Sequence, residues 1–329
     1  MDEKISNREA LNIALKEEME RDTRVFVLGE EVGRRGGPYK VTKGLIDIFG
    51  ERRVMDTPIS EMGFTGMAVG AAFMGLRPVV DFMTWNFALQ SIDQIINSAA
   101  KTLYMSGGLI KTPIVFRGPN GVSPGVGAQH TQDFCAYYGA VPGLKVVAPF
   151  SARDHRGLLK SAIRDPNPVV FLENEILYDF TFNRCSTFND TNYCQDLNKA
   201  IIEQEGSEIT LIGISITVDT CLKAAKLLEK KDISCEVINL ISISPIDWET
   251  IKRSVIKTRR CAIVDNGWKN FSVASEISAG INEMCFGILK CKILRLNGAF
   301  CPTPYAKNLE DMSFPTPEIV ESAILELCK

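Results

Sequence analysis

The stretch PISEMGFTGMAVGAA, residues 58–72, places one carboxylate, Glu61, at the mouth of a run of glycine, alanine, methionine and other apolar residues. An isolated ionised carboxylate in apolar surroundings is costly, so Glu61 needs a partner. The neighbouring residues offer no obvious cation. The glycine-rich stretch RGPNGVSPGVGAQH, residues 117–130, ends on His130, one of only 2 histidines. A loop of this kind on a rigid sheet commonly carries function. The other histidine, His155 in ARDHRG, reads as a solvated residue on an exposed helix face. Phe87, in MTWNF, reads by itself as a core phenylalanine.

Several chemistries are excluded by what surrounds these residues. GVSPG (121–125) fits the G-x-S-x-G pattern of serine hydrolases, but the residue after the serine is Pro124, which has no N–H for an oxyanion hole. Neither G-x-G-x-x-G nor a P-loop occurs, so a nucleotide site has no support. The 10 cysteines form no C-x-x-C, and with 2 histidines the usual zinc patterns are missing. Cys221, Cys235 and Cys261 lie in apolar runs and read as reduced, partly buried thiols. With 37 basic and 40 acidic residues the net charge is −3, and no basic block points to nucleic acid. No apolar run approaches ~18 residues, so no membrane span is expected. The acidic start MDEKISNREA reads as neither signal peptide nor presequence.

At 329 residues, 45% hydrophobic and 23% charged, the chain suits two globular domains. Ser6–Glu9 is a capping box opening an amphipathic helix to about Arg21. RVFVLG, RPVVDFM, TPIVFRG, LKVVAP and PVVFLEN read as strands. Helices are expected from Glu61 to Gly75, from Gln90 to Tyr104 and from Ser151 to Arg164. The small residues Gly63, Gly66, Gly70 and Ala71 recur at helical spacing, where a backbone or a ligand can approach closely. Residues 176–200 lose periodicity, which sets a first domain at 1–185, a linker at 186–200 and a second domain at 201–329. The second half repeats strand–helix alternation and ends on PEIVESAILEL, with Ile319, Ala323, Ile324 and Leu327 as its packing face. Short apolar strands suit parallel sheets buried on both faces. The expected fold is α/β, two three-layer α/β/α domains.

DTPISEMGFTGMAVGAAFMGLRP, FMTWNFALQSIDQIINSAAK, YMSGG, VFRGPNG and GAQHTQDFCAYYGAVPGLKVV, with NGAFCPTPYAKNLEDMSFP near the C-terminus, resemble the beta subunits of the pyruvate dehydrogenase decarboxylating component. These are thiamine-diphosphate-dependent, transketolase-like proteins, and the likeness spans nearly the whole chain. It weakens over 180–198. The resemblance implies that Glu61 bonds N1′ of the aminopyrimidine of thiamine diphosphate, sharing a proton with the ring nitrogen so that the cofactor can be activated. It implies that Phe87 stacks on that ring, that Met83 and Gln90 line its pocket, and that Glu30, in LGEEV, lies near the proton path. Trp85 stands where phenylalanine is expected, and its N–H needs a partner if buried. His130 matches the active-site histidine of acyl transfer. Potassium is implied at the main-chain carbonyls of Ile114, Ala162, Ile163, Asp165 and Asn167.

The G-D-G…N motif through which thiamine enzymes hold the diphosphate and Mg²⁺ is absent, so an alpha subunit is expected to supply that half. The implied assembly is a heterotetramer of two alpha and two beta chains. It would act on pyruvate and pass the acetyl group to lipoyl groups of dihydrolipoamide acetyltransferase, towards acetyl-CoA. The second domain is then expected to serve assembly, with Lys307, Glu310 and Asp311 as charged rim residues tuning acetyltransferase docking. The alternatives are a branched-chain 2-oxo acid dehydrogenase beta subunit and a catalytically idle assembly subunit. The resemblance implies the mitochondrial matrix or a derived organelle, or the cytoplasm if no presequence precedes this chain.

Overall fold

The computed structural model describes residues 4–327. Two compact units form. One holds the residues up to Asn120 together with Tyr137–Leu197; the other holds Gly121–Ala136 together with the residues from Asn198 on.

In the first unit, the strand β1 (Lys4–Ser6) leads through the Ser6–Glu9 capping box into α1 (Asn7–Arg21). There follow β2 (Val25–Gly29), α2 (Leu45–Phe49), β3 (Val54–Asp56), α3 (Glu61–Phe73) and β4 (Arg77–Asp81). A 3₁₀ turn at Phe87–Ser91 and a wide-turned segment at Gln94–Ala99 run into α4 (Ala100–Met105). The expected helix over 90–104 is therefore real but irregular, and such widened turns concentrate at functional places. Beyond it lie β5 (Val115–Pro119), α5 (Cys135–Gly139), β6 (Lys145–Val147), α6 (Ala152–Arg164) and β7 (Val169–Glu173). The short β8 (Thr181–Asn183) pairs antiparallel with β1.

The strands of this unit run β6-β7-β5-β4-β2-β3, all parallel. Every residue of β2, β5 and β7 is buried, which is why they read as largely apolar runs. The order reverses between β2 and β4. In open α/β sheets ligands bind outside the carboxyl ends of the strands at such a switch point. Glu30 follows β2, and the segment carrying Met83, Phe87 and Gln90 follows β4.

Helices α1 and α6 pack together through charge as well as apolar contact. Arg156 Nη2 donates to Glu17 at 2.8 Å and Arg164 Nη2 to Glu18 at 2.6 Å, while Lys160 also reaches Glu17. His155 is fully buried on α6, a correction to its reading as a solvated residue. Its Nδ1 lies 2.9 Å from the Ser151 carbonyl, and burial pushes its pKa down, so the ring is neutral. The missed signal was Leu158, Leu159 and Ala162 three, four and seven residues on, which puts His155 on the apolar stripe.

The second unit contains β9 (Ile201–Gln204), β10 (Ile209–Gly213), α7 (Thr217–Glu229), β11 (Cys235–Asn239), β12 (Ser242–Ser244), α8 (Trp248–Thr258), β13 (Cys261–Trp268), α9 (Val273–Cys285), β14 (Leu294–Gly298), α10 (Lys307–Met312) and α11 (Pro317–Leu327). Its five-stranded sheet runs β14-β13-β10-β11-β9. Four strands are parallel, but β9, unforeseen in the sequence, joins the edge antiparallel to β11. Leu211, Val237, Ala262 and Val264 pack against Ala224 and Leu228 of α7 and Val320 and Ile324 of α11. The packing face of α11 is therefore Val320–Ile324, and Ile319, expected to pack, is exposed. The nine cysteines among the described residues are free thiols, as expected, and burial raises the pKa of Cys221 and Cys261. The tenth, Cys328, lies outside the described residues.

Candidate active site

Glu61 is the first residue of α3, and the stripe Phe64, Thr65, Ala68, Val69 and Ala72 buries that helix. Its N-cap, Ser60, makes no side-chain cap bond. First-turn N–H groups and the positive helix end therefore favour an anion here. Beside Glu61 stands another acid. Glu30 is buried beside Glu61, and burial first, then the Glu61 and Glu31 charges, push its carboxyl above the ordinary range. Burial and the second carboxyl nearby both favour the protonated form of Glu30. Glu30 Oε1 has no hydrogen-bond partner among the described residues, and a buried polar atom in that state calls for a ligand or water.

Phe87 opens the 3₁₀ turn after β4 and is half-buried; Met83 is also half-buried, and Gln90 is exposed. Trp85 is fully buried between Phe82 and Tyr138, and its indole N–H donates to the Phe171 carbonyl at 3.4 Å. The partner that this tryptophan required is present. Of the glycines on α3, Gly66 lies against the Gln94 side chain, but a Cβ there would make only an ordinary contact at 3.4 Å, so the expected close approach is not required within this unit.

His130 lies on the segment 121–136, which groups with the second unit. The segment closes on itself, with the Gly121 N–H donating to the Gln132 carbonyl at 3.1 Å. The Gly127 carbonyl accepts from the His130 N–H at 3.3 Å and from Thr131 Oγ1 at 2.9 Å. Glu310 corrects one expectation. It is buried, 3% exposed, rather than a rim charge, and its Oε1 accepts from the Gly125 N–H at 2.9 Å. Lys307 and Asp311 are exposed and pair with each other.

A buried charge cluster went unread in the sequence. Arg117 of β5 donates to Asp81 at the end of β4, and its Nε donates to Glu173 at the end of β7 at 2.6 Å. The Tyr178 hydroxyl donates to Glu173 at 2.6 Å. Burial works against the guanidinium, but the two carboxylates outweigh it and hold its pKa well above the ordinary value. The available signal was a charged residue towards the end of each of three strands with apolar middles, which makes sense if those charges meet.

The carbonyls expected for potassium lie around the C-terminal end of α6. Arg77 Nη1 donates to the Ile163 carbonyl at 2.7 Å and to the Asp165 carbonyl at 3.2 Å. The Ile114 carbonyl accepts from the Val169 N–H and the Ala162 carbonyl from the Asp165 N–H. The Asn167 side-chain amide donates to the Asp165 carboxylate at 2.8 Å.

Comparison with known proteins decides the family. Residues 3–181 match the transketolase pyrimidine-binding domain and residues 198–320 the transketolase C-terminal domain. Over 320 residues the chain is 53% identical to "Pyruvate dehydrogenase E1 component subunit beta, mitochondrial" of Dictyostelium discoideum, covering 97% of this chain and 90% of that protein. The chain belongs to the family of pyruvate dehydrogenase E1 beta subunits. The human E1 beta subunit, also named mitochondrial, is 53% identical over 312 residues, covering 94% of this chain and 87% of that one. The E1 beta fold also matches a solved structure titled as a split-gene transketolase, inactive beta4 tetramer. The TM-score is 0.78, with 20% identity and 98% of each chain covered, which speaks to fold alone.

Proposed function

We propose that this chain is the cofactor-activating half of a pyruvate dehydrogenase E1 component. Together with an alpha subunit it decarboxylates pyruvate and delivers the acetyl group to lipoyl groups of dihydrolipoamide acetyltransferase. The observation that carries this reading is the Glu30–Glu61 pair at the sheet's switch point in a chain of this family. The donor set fits thiamine diphosphate: Glu61 supplies an acceptor at a helix N-terminus, Glu30 Oε1 is an unsatisfied buried oxygen, and Phe87 offers an aromatic ring in the turn after β4. When bound, thiamine diphosphate would supply the nucleophilic thiazolium carbon for 2-oxo acid decarboxylation.

The chain's residues then have separable tasks. Glu61 holds and exchanges a proton at the aminopyrimidine nitrogen. Glu30 keeps Glu61 supplied with a proton-bearing neighbour and excludes water from that edge. Phe87, flanked by Met83 and Gln90, fixes the ring plane. His130 handles the proton of the incoming lipoyl thiol. If so, His130→Ala in the assembled enzyme lowers transfer to a lipoyl acceptor by ~10²-fold or more, while turnover with an artificial acceptor after decarboxylation falls much less. Equal loss in both assays would move His130 to the decarboxylation step.

The number of large apolar side chains left in water supports a partner chain: Ile59, Met62, Met67, Met74, Tyr104 and Leu109 are all more than half exposed in the first unit. Mg²⁺ and the diphosphate fall to the alpha subunit in this reading. The relatives' names support a mitochondrial setting, and no helix among the described residues is long and apolar enough to cross a membrane. Potassium at Ile114, Ala162, Ile163, Asp165 and Asn167 stays a proposal with a competitor. The carbonyls suit a large monovalent ion, and each carbonyl oxygen has a second lone pair. Against it, the Arg77 guanidinium already stands on two of them. Replacing NaCl by KCl at equal ionic strength raises the Tm of the assembled enzyme if the ion shares those oxygens; an unchanged Tm removes it.

A further inference from the structure

The segment that presents His130 has neither helix nor strand between Asn120 and Thr131. It carries Gly121, Gly125 and Gly127, each at positive φ, of 76°, 69° and 73°. Such a stretch has many backbone states of similar energy, so its conformation must be imposed from outside. Residues 124–126 at its tip are exposed, which leaves little packing to hold them. Two contacts from a single stretch of the second unit hold this tip. Glu310 Oε1 accepts from the Gly125 N–H, and the Tyr305 ring lies where a Cβ on Gly127 would meet it at 3.6 Å. Gly127 in turn supplies the carbonyl on which the His130 N–H and the Thr131 hydroxyl close.

Glu310 is itself braced. Its backbone carbonyl accepts from the Ser313 N–H at 2.9 Å, and the Ser313 carbonyl accepts from the N–H of Ala299, the residue after β14, at 2.8 Å. Its carboxylate is 4% exposed, with Lys307 Nζ 3.9 Å away. A carboxylate is buried at a cost unless it is used, and hydrogen bonds to charged groups are among the stronger ones. The only backbone donor recorded for it among the described residues is the Gly125 N–H.

We infer that Glu310 is a positioning residue for the reaction: through the Gly125 N–H it fixes the loop that presents His130. This rests on the reading of His130 given above. It also gives the second domain a task besides assembly.

The test uses the assembled enzyme with Glu310→Ala, Glu310→Asp and Glu310→Gln. Asp keeps the charge but falls one methylene short of Gly125. Gln keeps an acceptor oxygen at full length. Amide exchange is measured across residues 121–130, alongside lipoyl transfer and artificial-acceptor turnover. The Ala and Asp variants are expected to speed exchange in that segment, and to slow lipoyl transfer, by about 10-fold or more. Gln recovers most of both. On a His130→Ala background, Glu310→Ala adds no further loss of transfer. Unchanged exchange over 121–130, or a fully additive loss in the double variant, overturns the inference. Faster loop exchange with a silent His130→Ala would support the tether and overturn the role given to His130 instead.

Discussion

Glu61→Gln in the assembled enzyme keeps the fold and loses most of its turnover, by ~10²–10⁴-fold, the usual range for general acid–base assistance. The change is nearly isosteric. It leaves an amide at the N-terminus of α3, where the backbone does not depend on the side chain: Ser60 makes no side-chain cap bond, and the buried stripe begins only at Phe64. Under the proposed function, what is lost is the carboxylate that would exchange a proton with the cofactor ring. Removing that charge also removes one of the causes that raise the Glu30 carboxyl pKa, though burial, the larger cause, remains. The two observables separate the role from simple damage: thermal stability close to that of the unsubstituted enzyme, with turnover collapsed. Unchanged turnover would mean that another group activates the cofactor.

The second large effect concerns stability. Arg117→Met leaves Asp81 and Glu173 facing one another in a place sealed from water; the Arg117 side chain is 2% exposed and that of Glu173 0%. Breaking a buried pair by removing one partner typically costs ~3–5 kcal/mol, because the remaining charge stays desolvated and uncompensated. Here one cation balances two carboxylates, so the loss should lie at the upper end. A shift in the denaturant midpoint of that size, with unchanged slope, is the expected result. The diagnostic control removes charge from both sides. Arg117→Met combined with Asp81→Asn and Glu173→Gln should be less unstable than Arg117→Met alone. If the triple variant is the weaker one, burial of unpaired charge is not what the single substitution exposes.

Much of this architecture was legible because local signals agreed with tertiary ones. The capping boxes at Ser6 and Ser151 mark helices that begin where they say. The strands buried on both faces carry no polar alternation to misread. The illegible parts share a physical cause: their meaning depends on residues far away in sequence. Arg117, Asp81 and Glu173 are scattered charges until three strands align. His155 reads as polar until α6 is seen buried on several sides, and Glu310 reads as a rim acid until Gly125 is found at its carboxylate. The Glu30–Glu61 pairing was illegible for a further reason: beside a carboxylate, sequence reasoning looks for a cation and not for a second acid whose carboxyl burial pushes up.

The candidate site was reached mainly through resemblance. Glu30 and Glu61 lie close enough for the Glu61 charge to raise the Glu30 carboxyl, whereas the potassium carbonyls leave no side-chain signature and meet Arg77 as a competitor.

The central claim is that this chain carries the pyrimidine-activating half of a thiamine diphosphate site and that another chain must bring the other half. Titration of the purified chain with thiamine diphosphate and Mg²⁺, first alone and then with the alpha subunit, addresses it directly. Weak binding alone, with tight binding and pyruvate decarboxylation restored on mixing, is the result expected here. Tight Mg²⁺-dependent binding by this chain alone would contradict it.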